Sequence, residues 1–386
     1  IAMKLLSKKD VRALTLYSAE ANQPVETLKE YLDVQLLYCS ALIATKGQAA
    51  NEVSAAYDVA RSISEQLGPT PETGNIYFGM AAFYFSRGRH QTARSLLNQT
   101  LQLADHYADD GMRMQACMSM SNVLFWMGEF HRSLDYSAQV LRYYDTANPQ
   151  EFNVRYAQNP RITTMNSRVW VTYLIGHPSL ARRLADETLS RAEALAHPFN
   201  KAISLQIIAF LHLHRRDAQT CYSTAQELVS FARQHGFGIY IALGDILSAW
   251  ALAEMEPDSH IETFKSALKR WEASGAKIGN SVFLALLAEL YLEKRDFTAL
   301  DSALEVAFSH VEQTSEKVYL AELYRLRAVS YFEQDQTEQG LTALDHAHRI
   351  AKEQGTTLLE LRAILSSATY APSPQQIGRA SCRERV

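Results

Sequence analysis

The sequence predicts an all-α protein, a right-handed α-solenoid of about eight helical hairpins with a period near 40 residues. The main observation is a recurring cassette, clearest in FGMAAFYFSRGRHQTARSLLNQTL (78–101) and repeated in SMSNVLFWMGEFHRSLDYSAQVL (119–141). The second observation is that helical periodicity continues along the chain without strand-type alternation or an Asn-Gly hairpin. Because one such unit cannot bury its own apolar face, the units must stack, and stacks of this kind usually bind other molecules.

Each cassette has three recognisable positions. A mostly small residue lies in the first helix, and a side chain three positions later shares its face, so the pair can fill the seam between neighbouring helices. A turn then leads to a second helix, in which small residues such as Ala93, Ala181, Cys221 and Gly340 let backbones approach closely. The first-helix position is occupied by Ser40, Ala81, Ser121, Val169, Ala209, Ser248, Ala288 and Ala328. The turn position is occupied by Gly47, Gly88, Gly128 and Gly176, and later by Arg216, Arg295 and Asp335.

The periodicity divides the chain into successive helix pairs and one closing helix. Residues 4–22 are predicted to be the second helix of a unit whose first half is missing, so 1–23 is a remnant, 24–370 the solenoid and 371–386 a disordered tail. Thr70-Pro71-Glu72 predicts a helix start, and Gly236 and Gly355 follow helix ends. The predicted pairs are 26–45 with 49–67, 72–87 with 90–107, 111–127 with 130–144, 161–175 with 178–196, 199–214 with 218–235, 237–254 with 259–273, 278–294 with 297–313, and 316–333 with 337–354, before a closing helix at 357–369.

One connection breaks the regular spacing. Between Ser121 and Val169 the period lengthens to about 48 residues, across the segment TANPQEFNVRYAQNPR (146–161). Its two Asn-Pro steps disfavour helix in the preceding residues. The segment carries three larger side chains, Phe152, Arg155 and Tyr156. Two interpretations stay open: a loop folded over an edge of the solenoid, or one wall of a ligand or partner groove.

Composition excludes several classes of protein. The 386 residues are 47% hydrophobic and 21% charged, with a formal net charge of −4, so the chain has material for a core but no basic surface for direct nucleic-acid binding. No apolar run is long enough for a membrane helix, and no secretory signal is recognisable. The four cysteines, at 39, 117, 221 and 382, are scattered and contain no CxxC pair. We expect reduced thiols and a cytoplasmic protein.

Catalytic and metal-binding motifs are missing from the sequence. It contains no GxxxxGK[ST] phosphate loop, no G-x-S-x-G elbow, no HExxH and no kinase motif set. The pairs His212/His214 and His346/His348 are two residues apart, so on a helix their side chains project about 200° from each other and cannot jointly hold an ion. We therefore predict no catalytic residue, no metal and no cofactor, and a chain that is not itself an enzyme.

The two ends of the sequence are unusual. The chain begins at Ile1, within a predicted helix. Its last ten residues, IGRASCRERV (377–386), resemble one translated reading frame of a widely used sequencing adapter. We expect this segment to be artefactual and the chain to be a fragment of a longer protein.

Several stretches resemble a known repeat family. They include ALIATKGQAANEVSAAYDVAR, LFWMGEFHRSLDYSAQVLRYYD, EALAHPFNKAISLQIIAFLHLHRRD, SALKRWEASGAKIGNSVFLALLAELY and KVYLAELYRLRAVSYF, which together span most of 36–332. The chain thus resembles the MalT-like tetratricopeptide repeat (TPR) region at the C-terminus of large bacterial signalling proteins. It departs from the pattern at Met255, where a turn glycine is usual, and at Pro257-Asp258. We expect a local distortion between the helices around 250 and 260.

The resemblance implies the context of the region. Such regions follow STAND-type (AAA-like) ATPase modules, some of them joined to class III adenylate or guanylate cyclase domains, and other relatives are LuxR-type transcription activators. It therefore implies a non-catalytic sensor scaffold in a signalling ATPase, with a sensor of a MalT-like transcriptional regulator as the alternative. The implied partners are a protein or small-molecule effector in the groove and the parent's own ATPase domain. The repeat pattern itself transfers no functional residue.

The cassette register also predicts which side chains face the concave groove. Counting one and four positions beyond the small first-helix residue gives a set rich in aromatic side chains, as binding anchors are. The alternative is that these aromatic side chains pack between helices. The set comprises Phe85, Asn122, Phe125, Trp170, Tyr173, Phe210 and Leu213.

Overall fold

The computed structural model describes residues 24–146, 159–273 and 275–370. Within these ranges the chain forms seventeen α-helices and no strand. In order they are α1 (Val25–Lys46), α2 (Asn51–Leu67), α3 (Pro71–Ser86), α4 (His90–Tyr107), α5 (Asp110–Trp126), α6 (Phe130–Thr146), α7 (Pro160–Leu174), α8 (Pro178–Ala194), α9 (Pro198–His214), α10 (Ala218–His235), α11 (Gly238–Met255), α12 (Pro257–Ala273), α13 (Asn280–Glu293), α14 (Phe297–Thr314), α15 (Leu320–Glu333), α16 (Thr337–Gln354) and α17 (Thr357–Tyr370).

The predicted helical pairs are confirmed, and the all-α solenoid with them. Odd-numbered helices are the first helices of the pairs, even-numbered helices are the second ones, and α17 closes the described part. The small residues of the second helices lie where helices touch: Ala93, Ala181 and Cys221 are fully buried. A Cβ on Gly340 would lie 2.6 Å from the Phe332 ring. Close approach of paired helices therefore depends on these small side chains.

The turn between paired helices keeps one backbone geometry whatever residue occupies it. Gly88 and Gly128 have φ of 71° and 77°, and the charged residues Arg216, Arg295 and Asp335 adopt 58°, 56° and 60°. In these turns the following residue donates back to the preceding helix, as from Asp217 N to His212 O at 3.0 Å. This is the glycine-favoured left-handed C-cap. The predicted correspondence between turn glycines and later charged residues is confirmed.

The turn after α11 differs from the others. Only Glu256 lies between α11 and α12, whereas three residues separate the helices in pairs such as α3–α4 and α9–α10. Glu256 has φ −142° and ψ 78°, not the left-handed conformation. A local distortion was expected here because the usual turn glycine is replaced by Met255.

Successive turns of the solenoid meet end to end. The carbonyl of Ser86, the last residue of α3, accepts from Lys277 N at 3.1 Å, and Trp126 O at the end of α5 accepts from Lys317 N at 2.8 Å. Ile175 O, after α7, accepts from Thr357 Oγ1 at 3.0 Å. Each donor lies at the start of a first helix about five repeats later. Carbonyls that a helix end leaves unpaired are thus satisfied by the next turn, and the chain closes into a compact superhelix.

A buried carboxylate reinforces this contact between turns. Glu316, in the α14–α15 connection, accepts hydrogen bonds from Gly279 N at 2.8 Å and from Ser281 N and Oγ at 2.8 and 2.6 Å. The Nε2 atoms of His90 and His310 each lie 3.6 Å from it. Burial alone would raise the pKa of Glu316, but the two imidazoles hold it well below its usual value. An ionised side chain thus links α4 of the first turn to the second turn.

One helix among the described residues, α11, is long and apolar enough to cross a membrane by length and composition. More than half of it (56%) is buried inside the protein, including the fully buried Trp250. The neighbouring helices account for its apolar character. The predicted remnant helix within 1–23 and the tail at 371–386 lie outside the described residues.

Candidate binding surface on the inner face

Aromatic rings from successive first helices meet on the inner side of the superhelix. Ring centroids of Phe125 and Trp170 are 4.7 Å apart, and those of Trp170 and Phe210 are 4.5 Å apart and stacked. Phe283 continues the series at 6.3 Å from Phe210. We call these four side chains the aromatic column. It connects α5, α7, α9 and α13, so it fixes how the first helices sit relative to one another.

The structure divides the seven predicted groove residues into two groups. Phe125, Trp170, Phe210 and Leu213 are all at least 95% buried, so they pack between helices and offer a ligand almost no surface. The repeat register predicts that they face the groove, but neighbouring first helices lie close enough to cover them. Their role is therefore corrected to the alternative interpretation, packing.

The other three predicted residues are half-buried. Phe85 contacts the His90 ring, with centroids 5.6 Å apart. Asn122 accepts a hydrogen bond from Ser167 Oγ at 2.5 Å. Tyr173 stacks on His214 at 6.0 Å. Phe152, Arg155 and Tyr156 of the irregular connection lie outside the described residues.

Beside Tyr173 lies a group of six charged side chains, here called the central charged cluster. Glu289 of α13 accepts from Arg216 Nη2 and Arg362 Nη2, and Arg325 Nη2 lies 3.4 Å from it. Side chains from three other elements, the α9–α10 turn, α15 and α17, thus converge on this carboxylate. The members are Arg216 (α9–α10 turn), Glu254 (α11), Glu289 (α13), Glu322 and Arg325 (α15), and Arg362 (α17).

The pKa shifts in the cluster follow from burial opposed by pairing. Burial alone would raise the pKa of Glu289, but Arg362 and Arg216 lower it to about 2. Burial lowers the pKa of both arginines, and the surrounding carboxylates more than offset this, so both pKa values are raised. At Glu254 burial dominates and raises the pKa. The core of the cluster is therefore a set of fixed charges at neutral pH.

The carboxylates of the cluster lie deeper than two of its arginines. The Glu322 and Glu289 side chains are 1% and 13% exposed, whereas Arg362 and Arg216 are 23% and 30% exposed. Within the described residues, Nε and Nη1 of Arg362 and Nε of Arg216 make no hydrogen bond. None of the three is a buried unpaired atom, so each is accessible to solvent. The inner face thus presents unused guanidinium N–H groups.

Tyr173 connects the aromatic column with this cluster. Its hydroxyl donates to His214 O at 3.4 Å, and burial raises its pKa while Arg215, Arg362 and Arg216 lower it. The buried His214 imidazole is hydrogen-bonded to Tyr319 through Nδ1 at 2.8 Å. Burial lowers the pKa of His214 to about 3, so the ring is neutral at physiological pH.

The sequence predicts Tyr173 as a groove-facing residue but does not predict the charged cluster beside it. One signal was visible: at Arg216 a charged residue occupies the position where earlier repeats have glycine. The remaining members look like ordinary exposed helix charges until the superhelix brings them together.

A second recess lies near the contact between the two turns. It has a volume of about 670 Å³ and is lined mainly by polar side chains of α12 to α14, including Lys277, Glu305 and His310. In the described ranges no group of three or more His, Cys, Asp or Glu side chains is placed to hold a metal ion.

Comparison with known proteins shows the fold. No protein-family model matches the chain. It is similar to the Rap protein solved in complex with Competence and Sporulation Factor, at 14% identity and a TM-score of 0.67, over 92% of this chain and 93% of that one. It is also similar to the Rap conjugation gene regulator of the plasmid pLS20, solved in complex with the Phr* peptide. That match has 14% identity and a TM-score of 0.60, over 81% of this chain and 87% of that one. The chain shares their helical-repeat fold.

A sequence relative is much longer than the matched segment. An uncharacterized Rhizobium meliloti (strain 1021) protein, R02095, is 22% identical over 243 residues, which are 62% of this chain and 24% of that protein. The chain thus spans about a quarter of that relative.

Proposed function

We propose that this chain is a non-catalytic binding scaffold that takes up a peptide segment of a partner on its inner face. The central charged cluster carries the proposal, because buried ion pairs cost desolvation energy and are a weak source of stability. Side chains from five elements nevertheless meet there, with two arginines partly open to solvent. The fold-level similarity to a Rap regulator solved with the Phr* peptide supports the same interpretation.

We also propose a context for the scaffold. It serves as a sensor region of a larger cytoplasmic signalling ATPase, linked to nucleotide cyclase activity, and its ligand biases the parent's ATPase module. The MalT-like resemblance supports this context, as does the match to only a quarter of a longer relative. The alternative is the sensor region of a MalT-like, LuxR-type transcriptional regulator. The coding sequence upstream of this region discriminates between the two contexts. A phosphate loop with cyclase metal ligands favours the signalling ATPase, and a helix-turn-helix favours the transcriptional regulator.

Selection from a phage-displayed heptapeptide library tests the binding function. We expect the full chain to enrich peptides whose affinity drops about tenfold in Tyr173→Ala, since an inner-face anchor is lost. The matched control is Leu180→Ala, at an exposed position of the outer helix α8, which should leave affinity unchanged. No enrichment above an empty support, or equal loss in both variants, would contradict an inner-face peptide scaffold.

A further inference from the structure

We propose that the inner face binds an acidic peptide, with a ligand carboxylate accepted by the guanidinium groups of Arg216 and Arg362 beside Tyr173. This inference rests on the proposed binding function and names the chemistry of its ligand. The two arginines come from distant parts of the chain, the α9–α10 turn and α17, and meet through a shared acceptor, Glu289. Their relative position is therefore fixed before any ligand arrives.

Both arginines have N–H donors that remain for a second carboxylate. Each guanidinium has five N–H donors. Among the described contacts Arg362 uses only Nη2, toward Glu289 and Glu322, and Arg216 uses Nη2 toward Glu289 with Nη1 3.6 Å from Glu254. A network with a purely structural role would be expected to consume its donors. Here the remaining donors are accessible on the inner face.

The chemistry of these donors favours a carboxylate. Guanidinium N–H groups form a planar fork that matches the two oxygens of a carboxylate, and such charge-assisted bonds are stronger than neutral ones. Glu289 already pairs with both arginines, through the Nη2 atom of each, so a carboxylate is an acceptor that this pair can share. Glu289 and Glu322 are less exposed than Arg216 and Arg362, so guanidinium surface is available to an entering ligand.

Two partly exposed carboxylates, one in the cluster and one next to it, make the opposite preference testable. Glu254 is 19% exposed and Glu293 lies at the exposed end of α13. A basic peptide could pair with these groups instead. Acidic and basic ligands must therefore be compared directly, and a ligand's C-terminal carboxylate must be separated from a side-chain carboxylate.

The experiment uses fluorescein-labelled heptapeptide libraries that differ only at two central positions, Asp-Asp, Asn-Asn or Lys-Lys. The Asp-Asp library is made with both free and amidated C-termini. Fluorescence anisotropy with the full chain measures the affinity of each library. We expect the Asp-Asp library to bind about tenfold or more tightly than the Asn-Asn library, with the preference weakening as salt is added. If amidation alone removes binding, the carboxylate recognised is the C-terminal one, which every peptide has, and the proposal of an acidic peptide is overturned.

Variants connect the preference to the two arginines. Arg362→Gln and Arg216→Gln should reduce the Asp-Asp preference to less than about threefold, and Arg362→Lys should restore part of it. Arg349→Gln is the matched control, because Arg349 pairs with Glu353 on the exposed surface of α16. Circular dichroism verifies that each variant is folded. If a variant is not folded, the comparison of the libraries with the wild-type protein still tests the preference for acidic ligands.

The outcomes separate the two proposals. Equal binding of all libraries, or tighter binding of the Lys-Lys library, would overturn the acidic ligand while leaving the scaffold function standing. If no library binds at any concentration, both the acidic ligand and the scaffold function are contradicted. An acidic preference that survives both Arg→Gln substitutions would place the carboxylate site elsewhere and overturn the assignment to Arg216 and Arg362.

Discussion

At the scale of single residues, Glu289 is a largely buried carboxylate that pairs with several arginines. Its carboxylate joins Arg216, Arg325 and Arg362, which belong to three separate elements. Removing one partner of a buried ionic network leaves the other charges uncompensated, which costs far more than the network contributes when complete. Glu289 therefore couples the inner surface to the stability of the C-terminal repeats.

Glu289→Gln should lower the free energy of unfolding by about 3 kcal/mol, because three guanidiniums lose a shared charged acceptor in a largely buried site. Urea denaturation followed by circular dichroism measures the change. The control Glu353→Gln removes an exposed partner of Arg349 and should cost less than about 0.5 kcal/mol. Equal midpoints for the two variants would mean that the cluster is solvated and structurally unimportant.

The depressed pKa of Glu289 also predicts a direction for acid sensitivity. Its pKa lies near 2 in the folded protein against an ordinary 4.5, so its stabilising contribution is present above pH 4.5 and is lost as the pH falls toward 2. We expect the melting temperature to fall progressively over this window. Glu289→Gln should show a shallower fall in melting temperature than wild type over the same range. Parallel curves for the two proteins would refute a contribution of this carboxyl.

At the scale of elements, the turn glycines of the early repeats have two roles. Gly88 adopts the left-handed conformation and also lies under the second turn of the superhelix, where an added Cβ would be 2.9 Å from Thr314 Cγ2. Gly236, after α10, has the left-handed conformation too (φ 73°, ψ 27°), but nothing lies within 4 Å of a Cβ there. The two positions therefore separate backbone strain from the contact between turns.

Gly236→Ala should cost about 1 kcal/mol, because alanine is strained in the left-handed conformation. Gly88→Ala should cost about 1 to 2 kcal/mol more, because its methyl group also collides with the next turn. Chemical denaturation of both variants measures the difference. A Gly88→Ala cost no greater than that of Gly236→Ala would show that the turns do not touch at this point.

Local sequence determines most of the helices but not the connections between superhelical turns. Helix pairs were predictable because periodicity and caps act within a few residues. The starts of α13 and α15 were predicted at 278 and 316 but lie at Asn280 and Leu320. In between, Gly279 N donates to the Glu316 carboxylate, and Lys317 N and Val318 N donate to Trp126 O of α5, instead of continuing a helix. Such contacts join segments far apart along the chain, so no local sequence pattern predicts them.

The same limit applies to the binding surface. Helical register predicts that Trp170 and Phe210 face the groove, but in the superhelix both are buried between helices. Tyr173 stays half-exposed because the neighbouring repeats supply charged groups in place of aromatic rings. The position of Arg362 beside Arg216 depends on the whole path from α9 to α17 and could not be inferred from spacing.

At the scale of the whole molecule, closure of the superhelix can be trapped covalently. A Cβ on Gly275 would lie 3.8 Å from the Ala49 Cβ, within the range of a disulfide. In a Cys382→Ser background, Ala49→Cys/Gly275→Cys should therefore cross-link on oxidation and migrate faster on a non-reducing gel. The buried native thiols should not interfere, because burial raises the pKa of Cys39 and Cys221 to about 12. Each single variant is the control, and an unchanged mobility of the double variant would argue for an open solenoid.

Closure of the superhelix and ligand binding depend on the same contacts, since those that bring α17 back against the end of α7 also place Arg362 on the inner face.

The most direct test of this account is photo-cross-linking of the labelled Asp-Asp library. A benzoylphenylalanine replaces Tyr173 on the inner face or, in the control protein, Leu180 on the exposed surface of α8. The account predicts a cross-link from position 173 that unlabelled Asp-Asp library competes away, and none from position 180. A competable cross-link from position 180 without one from position 173 would contradict an inner-face binding scaffold.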